Sequence, residues 1–350
     1  MKRIAALTIA LYAFTASAQL AARLDSLFQK QSLDKPGFAL SIEYEGRLLY
    51  RNAKGLADKN RSLDTASDFR MASISKQFTA FGIIGLQKSN QLSFDDTIGR
   101  WLPSLPADIR GKVRIRHLLT HSSGILDYES LIPAGQTTQV LDEDVLHLLS
   151  QKDSLYFPPG TKFRYSNSGY CLLALIGEKI AEVSFAEGMQ LIFGSFNMDS
   201  TTIYRKGHHI PHRAMGFPAD QSVTSATKGD GGVYTSLLDY EKWIHRLMYD
   251  TSLAYLPALQ EIRRPIEGSP KTYYAAGWFI IDGPSPIYFH SGSTCGFANF
   301  VIAIPRKKMI VTYFSNLAEN TAPFHAVIDI LRQQGLPDLR TVFPLHNLTN

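Results

Sequence analysis

Ser73-Ile74-Ser75-Lys76 sets a hydroxyl and an amine three residues apart. On a helix such positions share a face with Cβ atoms roughly 5–6 Å apart, so the Lys76 amine can reach the Ser73 hydroxyl while Ser75 points elsewhere. A serine hydroxyl activated by an adjacent base is a nucleophile for acyl transfer. The tetrapeptide opens an apolar helical run from Lys76 to Gln87. A helix start offers unpaired backbone N–H groups and the positive end of the dipole to a developing alkoxide or oxyanion. The same field, with Met71 and Phe78 nearby, disfavours a protonated Lys76 and brings it toward a useful base.

Two further groups are candidates. Tyr165-Ser166-Asn167 follows Phe157-Pro158-Pro159-Gly160 and precedes a helical run at Tyr170. A tyrosine beside a cationic amine can pass a proton to a leaving group, and the Asn167 amide can hold a substrate carbonyl. His290-Ser291-Gly292-Ser293 ends an apolar strand. There Gly292 lets a substrate acyl chain lie against the backbone, and the Ser293 N–H can complete an oxyanion hole with the N–H of Ser73. Each pattern alone has a plain structural reading: a capping serine with an exposed lysine, a chance tripeptide, a hydrogen-bonded strand-end histidine. Their combination carries the chemistry.

In order and spacing the three match the S-x-x-K, Y-x-N and H-x-G elements of the β-lactamase-like serine hydrolases, and the chain resembles that family. Arg116 to Gly124, Pro159 to Tyr170 and Gly231 to Ser236 look like further stretches of it, and the likeness runs from about Ala22 to about Gln334. It is similar to the class C β-lactamase, D-peptidase and esterase branch of the penicillin-recognising enzymes. The resemblance implies a metal-free and cofactor-free acyl-enzyme on Ser73, with Lys76 and Tyr165 sharing proton transfer and Asn167, His290, Gly292 and Ser293 positioning a small-molecule or peptide substrate. Which of Lys76 and Tyr165 takes the first proton stays open. His290 stands where well-known β-lactamases carry lysine. A histidine of reference pKa ~6.5 should gain charge only below about pH 6 and bind carboxylates weakly above it.

The elements that must position these residues fall into two kinds. Phe38 to Tyr44 and Leu48 to Ala53 flank Glu45-Gly46-Arg47 as a hairpin. Tyr273 to Ile281, Ile287 to His290, Phe297 to Ile304 and Met309 to Phe314 repeat the strand pattern, and Phe324 to Gln333 is an amphipathic helix. Between them Val140 to Leu149, Tyr170 to Val183 and Leu237 to Met248 have helical periodicity, and Ser184 to Glu187 reads as a capping box. Strands distant in sequence must pair, which predicts an α/β (α+β) fold. In it an antiparallel sheet, about 36–70 and 265–340, is flanked by helices and carries an inserted all-α subdomain, about 71–264, within one unit at 19–345. The family resemblance implies the same β-lactamase/transpeptidase-like architecture, with the site in the cleft between the two parts.

The 350 residues are 45% hydrophobic and 19% charged, a globular composition. Met1 to Ala18 reads as a secretory signal: Lys2 and Arg3, an apolar stretch from Ile4 to Phe14, and Ala16-Ser17-Ala18 as the cleavage site. The expected protein is exported, periplasmic or secreted, with no stable membrane span after cleavage. The formal charge of +5 falls by two when Lys2 and Arg3 leave, too slight an excess to imply nucleic acid. Cys171 and Cys295 are expected as two buried thiols. His208, His209 and His212 surround Pro211 and read as loop residues rather than metal ligands. No G-x-S-x-G or H-E-x-x-H pattern supports an α/β-hydrolase or a zinc peptidase.

Overall fold

The computed structural model describes residues 18–348. The signal expected over Met1 to Ala18 lies outside these residues except for Ala18, which belongs to a helix that includes residues 18–29. Eight strands form the main sheet, numbered here in chain order: β1 (Phe38–Tyr44), β2 (Arg47–Lys54), β3 (Arg264–Pro265), β4 (Thr272–Ala275), β5 (Trp278–Ile281), β6 (Ile287–Thr294), β7 (Phe297–Ile304) and β8 (Met309–Ser315). Their spatial order is β2-β1-β8-β7-β6-β5-β4-β3, with every neighbouring pair antiparallel. The first hairpin closes on the last strand, Phe38 opposite Ser315. The chain between β2 and β3 is thereby an insertion in one sheet.

Alternation along the strands separates two cores. Phe38, Leu40 and Ile42 of β1 and Phe300, Ile302 and Ile304 of β7 face one side, where Leu20, Leu24 and Phe28 of the first helix and Phe324, Val327 and Leu331 of the Ala322–Gln333 helix cover them. Phe300 and Phe324 stack there at 4.2 Å. Ala39, Val301 and Phe314 face the other side, against the inserted helices. A face buried on both sides has few polar positions, which is why these strands read as continuous apolar runs.

The insertion is mainly helical: Lys76–Lys88, Asp142–Ser150, Asn167–Ala181, Phe185–Ser195 and Leu237–Tyr249. Ser184 caps the fourth of these with the expected reciprocal bond to Glu187. The insertion is not purely α, because Phe69–Arg70, Val233–Thr235 and Thr202–Ile203 pair as a small antiparallel sheet. Segments of two or three residues are too short to leave a period in sequence. The run from Tyr273 to Ile281 also divides into two strands, since Ala276 and Gly277 take φ of 46° and 86° and make a tight hairpin between them. Among the described residues no helix is long and apolar enough to cross a membrane. Cys171 is buried, whereas Cys295, in the turn between β6 and β7, is only half-buried; both are free thiols. His208, His209 and His212 lie exposed on a loop.

Candidate active site

Ser73 lies in a 3₁₀ turn, Ala72–Ser75, that leads directly into the Lys76–Lys88 helix. Ala72 is held at φ 48°, in the left-handed region, a conformation that persists in a non-glycine residue only where the surroundings enforce it. They do so from two sides. Met71 N–H donates to Val233 O at 2.8 Å, tying the turn to the small sheet. Ser75 Oγ accepts Val233 N–H at 3.0 Å and is fully buried, so the second serine of the motif is a brace. Ser73 alone of the two remains partly exposed.

Lys76 is buried beside it, Nζ 3.0 Å from Ser73 Oγ, 2.8 Å from Asn167 Oδ1 and 3.1 Å from Asp230 O. The rings of Tyr165 and Tyr170 stand 4.9 and 5.6 Å from the same nitrogen. Burial pulls the Lys76 pKa below its ordinary value, while negative charge on Asp230, Cys171, Asp127 and Glu129 pulls the other way. A neutral amine has two hydrogens and one lone pair. As an ammonium Lys76 donates to all three oxygens; once neutral it can give its two hydrogens to the carbonyl oxygens of Asn167 and Asp230 and turn its lone pair to the Ser73 hydroxyl.

Tyr165 brings a buried hydroxyl, with no conventional hydrogen bond, close to Ser73. Burial pushes its pKa well above the ordinary tyrosine value, and the Ser73 hydroxyl only partly offsets this. The group is therefore a neutral phenol. Its ring packs 4.2 Å from that of His121, whose Nδ1 accepts Ser166 N–H at 3.2 Å. His121 is kept neutral, chiefly by burial and further by Lys76.

Asn167 begins the Asn167–Ala181 helix and is held by two carboxylates: its N–H donates to Asp127 Oδ2 at 3.3 Å and its Nδ2 to Glu129 Oε1 at 3.0 Å. Burial raises the pKa of both acids. Ser73, Tyr165, Asn167 and Ser293 line a cleft of about 580 Å³ together with Asp127, Glu129 and Arg164. Sequence patterning does not mark the acids, the arginine, His121 or Asp230 as site residues. His121 falls within the Arg116 to Gly124 stretch of family likeness, while loop carboxylates carry no periodic signal.

The β6 residues divide. Strand β5 pairs with β6 only from Ile287 to Phe289, so on that side the strand from His290 onward has no strand neighbour. Gly292 lies against the Ala72–Ser75 turn: a Cβ built there would stand 2.1 Å from Met71 O and 3.2 Å from Ser73 N. The glycine thus lets the strand pack closely against the turn. Ser293 reaches the cleft and is exposed. His290 does not reach it. Its ring is fully buried, Nδ1 donating to Ser291 O at 2.6 Å and Nε2 accepting from the Tyr274 hydroxyl at 3.1 Å. Burial, with Lys76 nearby, pushes it down to about 3, so the expectation of a carboxylate-binding imidazolium forming near pH 6 is corrected.

Asp142, Cys171 and Asp230 form the one group of potential metal ligands among the described residues. Asp142 already accepts Lys228 N–H and Gly229 N–H, with the Lys228 ammonium 3.9 Å away, which disfavours a cation there.

An antiparallel sheet with a helical insertion, and a Ser-Lys-Tyr centre set where they meet, define a β-lactamase/transpeptidase-type protein. The chain belongs to the Beta-lactamase family, whose profile matches residues 24–335. It is 31% identical over 316 residues to a penicillin-binding protein of Bacillus subtilis (strain 168), covering 81% of this chain and 68% of that one. It is 25% identical over 307 residues to the protein flp of Staphylococcus aureus (strain NCTC 8325 / PS 47), covering 82% of this chain but 61% of the relative's length. Among solved structures it is similar to EstCE1, described as a hydrolase with promiscuous acyltransferase activity, with a TM-score of 0.75 at 21% identity over 91% of this chain and 99% of the other.

Proposed function

We propose that the protein is an exported serine hydrolase that cleaves an ester or amide through an acyl-enzyme on Ser73. The observation that carries this reading is the buried Lys76 amine, held by the carbonyl oxygens of Asn167 and Asp230 with Nζ 3.0 Å from the Ser73 hydroxyl. In the first step Ser73 Oγ attacks the acyl carbonyl and its proton passes to Lys76 Nζ. The resulting oxyanion is received by the backbone N–H groups of Ser73 and Ser293. Tyr165, a neutral phenol, gives its proton to the leaving alkoxide or amine and recovers one from Lys76. Water then attacks the acyl-serine ester as the same groups work in reverse, releasing the acid and restoring Ser73. Lys76 is thus the first base and Tyr165 the carrier.

Small esters, D-amino-acid peptides and β-lactams are the substrate classes in question, esters and peptides ahead of β-lactams because no cation occupies the His290 position. A relative that is a penicillin-binding protein favours a second reading, a module that acylates and then stalls. A panel of nitrophenyl esters, D-amino-acid amides and a chromogenic cephalosporin, run beside Ser73→Ala, tests both. Turnover lost in the variant supports the hydrolase; a persistent mass adduct without release of acid supports the sensor; neither turnover nor adduct on any substrate overturns both.

A further inference from the structure

Beyond the Ala322–Gln333 helix the chain returns to the mouth of the cleft. Val342 and Leu345 are buried in the core on the outer side of the sheet. The His346 ring stands 5.0 Å from that of Phe300, and its Nδ1 is 3.0 Å from Ser291 Oγ. The segment is therefore anchored one residue from His290. The next two residues, Asn347 and Leu348, line the catalytic cleft alongside Ser73. On the far side of the segment lies a second cavity of about 840 Å³, lined by Ser293, Glu319, Thr321, His325, Phe343 and Asn347 among others. Ser293 and Asn347 border both spaces. They form a ridge across what would otherwise be one longer groove.

We infer that Asn347 and Leu348 are specificity-determining residues: they wall the cleft beside Ser293 and limit the size of the group a substrate can carry on that side of Ser73. Compact groups fit the 580 Å³ cleft. An elongated polar group would need the ridge lowered, whereupon it would meet Thr321, Glu319 and His325. Asn347 is exposed, whereas Leu348 is half-buried and packs against the core that anchors the segment, which Val342 and Leu345 fill. The Asn347 part of the wall is thus adjustable without disturbing what holds the segment. The inference rests on Ser73 being the reacting residue.

The test is steric and needs no acyl-enzyme chemistry. Ser73→Cys in a Cys295→Ser background leaves one accessible thiol, since Cys171 is buried and burial holds its pKa high. Alkylation at position 73, located by mass spectrometry, is timed with iodoacetamide and with a bulky fluorescein-bearing iodoacetamide. With Asn347→Gly/Leu348→Gly added, the bulky reagent should react at least about tenfold faster, and with Asn347→Trp about tenfold slower, while iodoacetamide stays within about twofold in both. A bulky-reagent rate unmoved in both variants, or both reagents changing in parallel, overturns the inference. Failure of the hydrolase reading would show separately, as native chain that neither turns over esters nor takes a phosphonate.

Discussion

Ser75 Oγ accepts the Val233 N–H at 3.0 Å, whereas Ser73 Oγ, two residues earlier, faces Lys76 Nζ at the same distance. One motif thus supplies both a brace and the candidate nucleophile. Ser73→Ala should abolish covalent labelling by a serine-directed phosphonate with little effect on stability. Ser75→Ala should keep most labelling but lose about 1–3 kcal/mol, because it orphans a buried N–H. Mass spectrometry and chemical denaturation read the two effects, and labelling that survived Ser73→Ala would assign the nucleophile elsewhere.

Lys76→Ala and Tyr165→Phe should each lower turnover by about 10² or more, the usual effect of removing a general acid or base. The pH profile separates their roles. Lys76 works as a base only when neutral, so kcat/KM rises with pH through its depressed pKa. Ionised Glu129 favours the ammonium form of Lys76 and raises that pKa. Glu129→Gln keeps an oxygen for Asn167 Nδ2 while removing the charge, so the acid limb should move to lower pH. A limb that stayed in place, or moved upward, would detach it from Lys76.

Much of this site was legible from residue types. Strands β1 and β7 have the ends their apolar runs predict, and the Lys76 helix begins where the motif requires. What escaped depends on what a distant segment covers. Nothing in His290-Ser291-Gly292 says that Tyr274, from β4, closes over the histidine. Asp127 and Glu129 lie in and beside a short 3₁₀ turn at Tyr128–Leu131, and only the fold brings that turn to Asn167. Asn347 reaches the cleft after a long excursion along the outer face of the sheet.

Gly292→Ala is expected to damage fold and site together. Its Cβ would stand 2.1 Å from Met71 O, so either β6 or the Ala72–Ser75 turn must give way. Overpacking of this kind costs about 1–3 kcal/mol, and a displacement near 1 Å at a reacting group can cost about 10² in rate. Gly283→Ala, where a Cβ meets nothing within 4 Å, is the control. Melting temperature and phosphonate labelling rate should both fall for the first and stay for the second. Unchanged labelling in Gly292→Ala would show that strand and turn are not coupled.

His290 gives the sharpest pH prediction. Its folded pKa is about 3 against an ordinary 6.5, with burial as the main cause, so through the neutral range it is uncharged in the folded chain, and above about pH 7.5 it is largely uncharged in the unfolded chain too. The ratio of kcat/KM for carboxylate-bearing to uncharged substrates should therefore stay flat from about pH 8.5 to about 5.5, since no positive charge appears at this position. Stability behaves differently. Below pH 6.5 the unfolded histidine takes a proton that the folded one refuses, so the folded state loses stability progressively as pH falls toward 3. His117, pushed down to about 4, and His121 act with the same sign, so the informative quantity is the difference between wild type and His290→Gln, in which the acid loss should be shallower. His290→Lys should not create an anion site. It should bury an ammonium between Tyr274 and the Ser291 carbonyl, near Lys76, and cost about 3 kcal/mol or more. Denaturation from about pH 4 to 8 and the two substrate classes decide the matter. A carboxylate preference that rises as pH falls through about 6, and disappears in His290→Gln, would restore the charged role that this geometry denies.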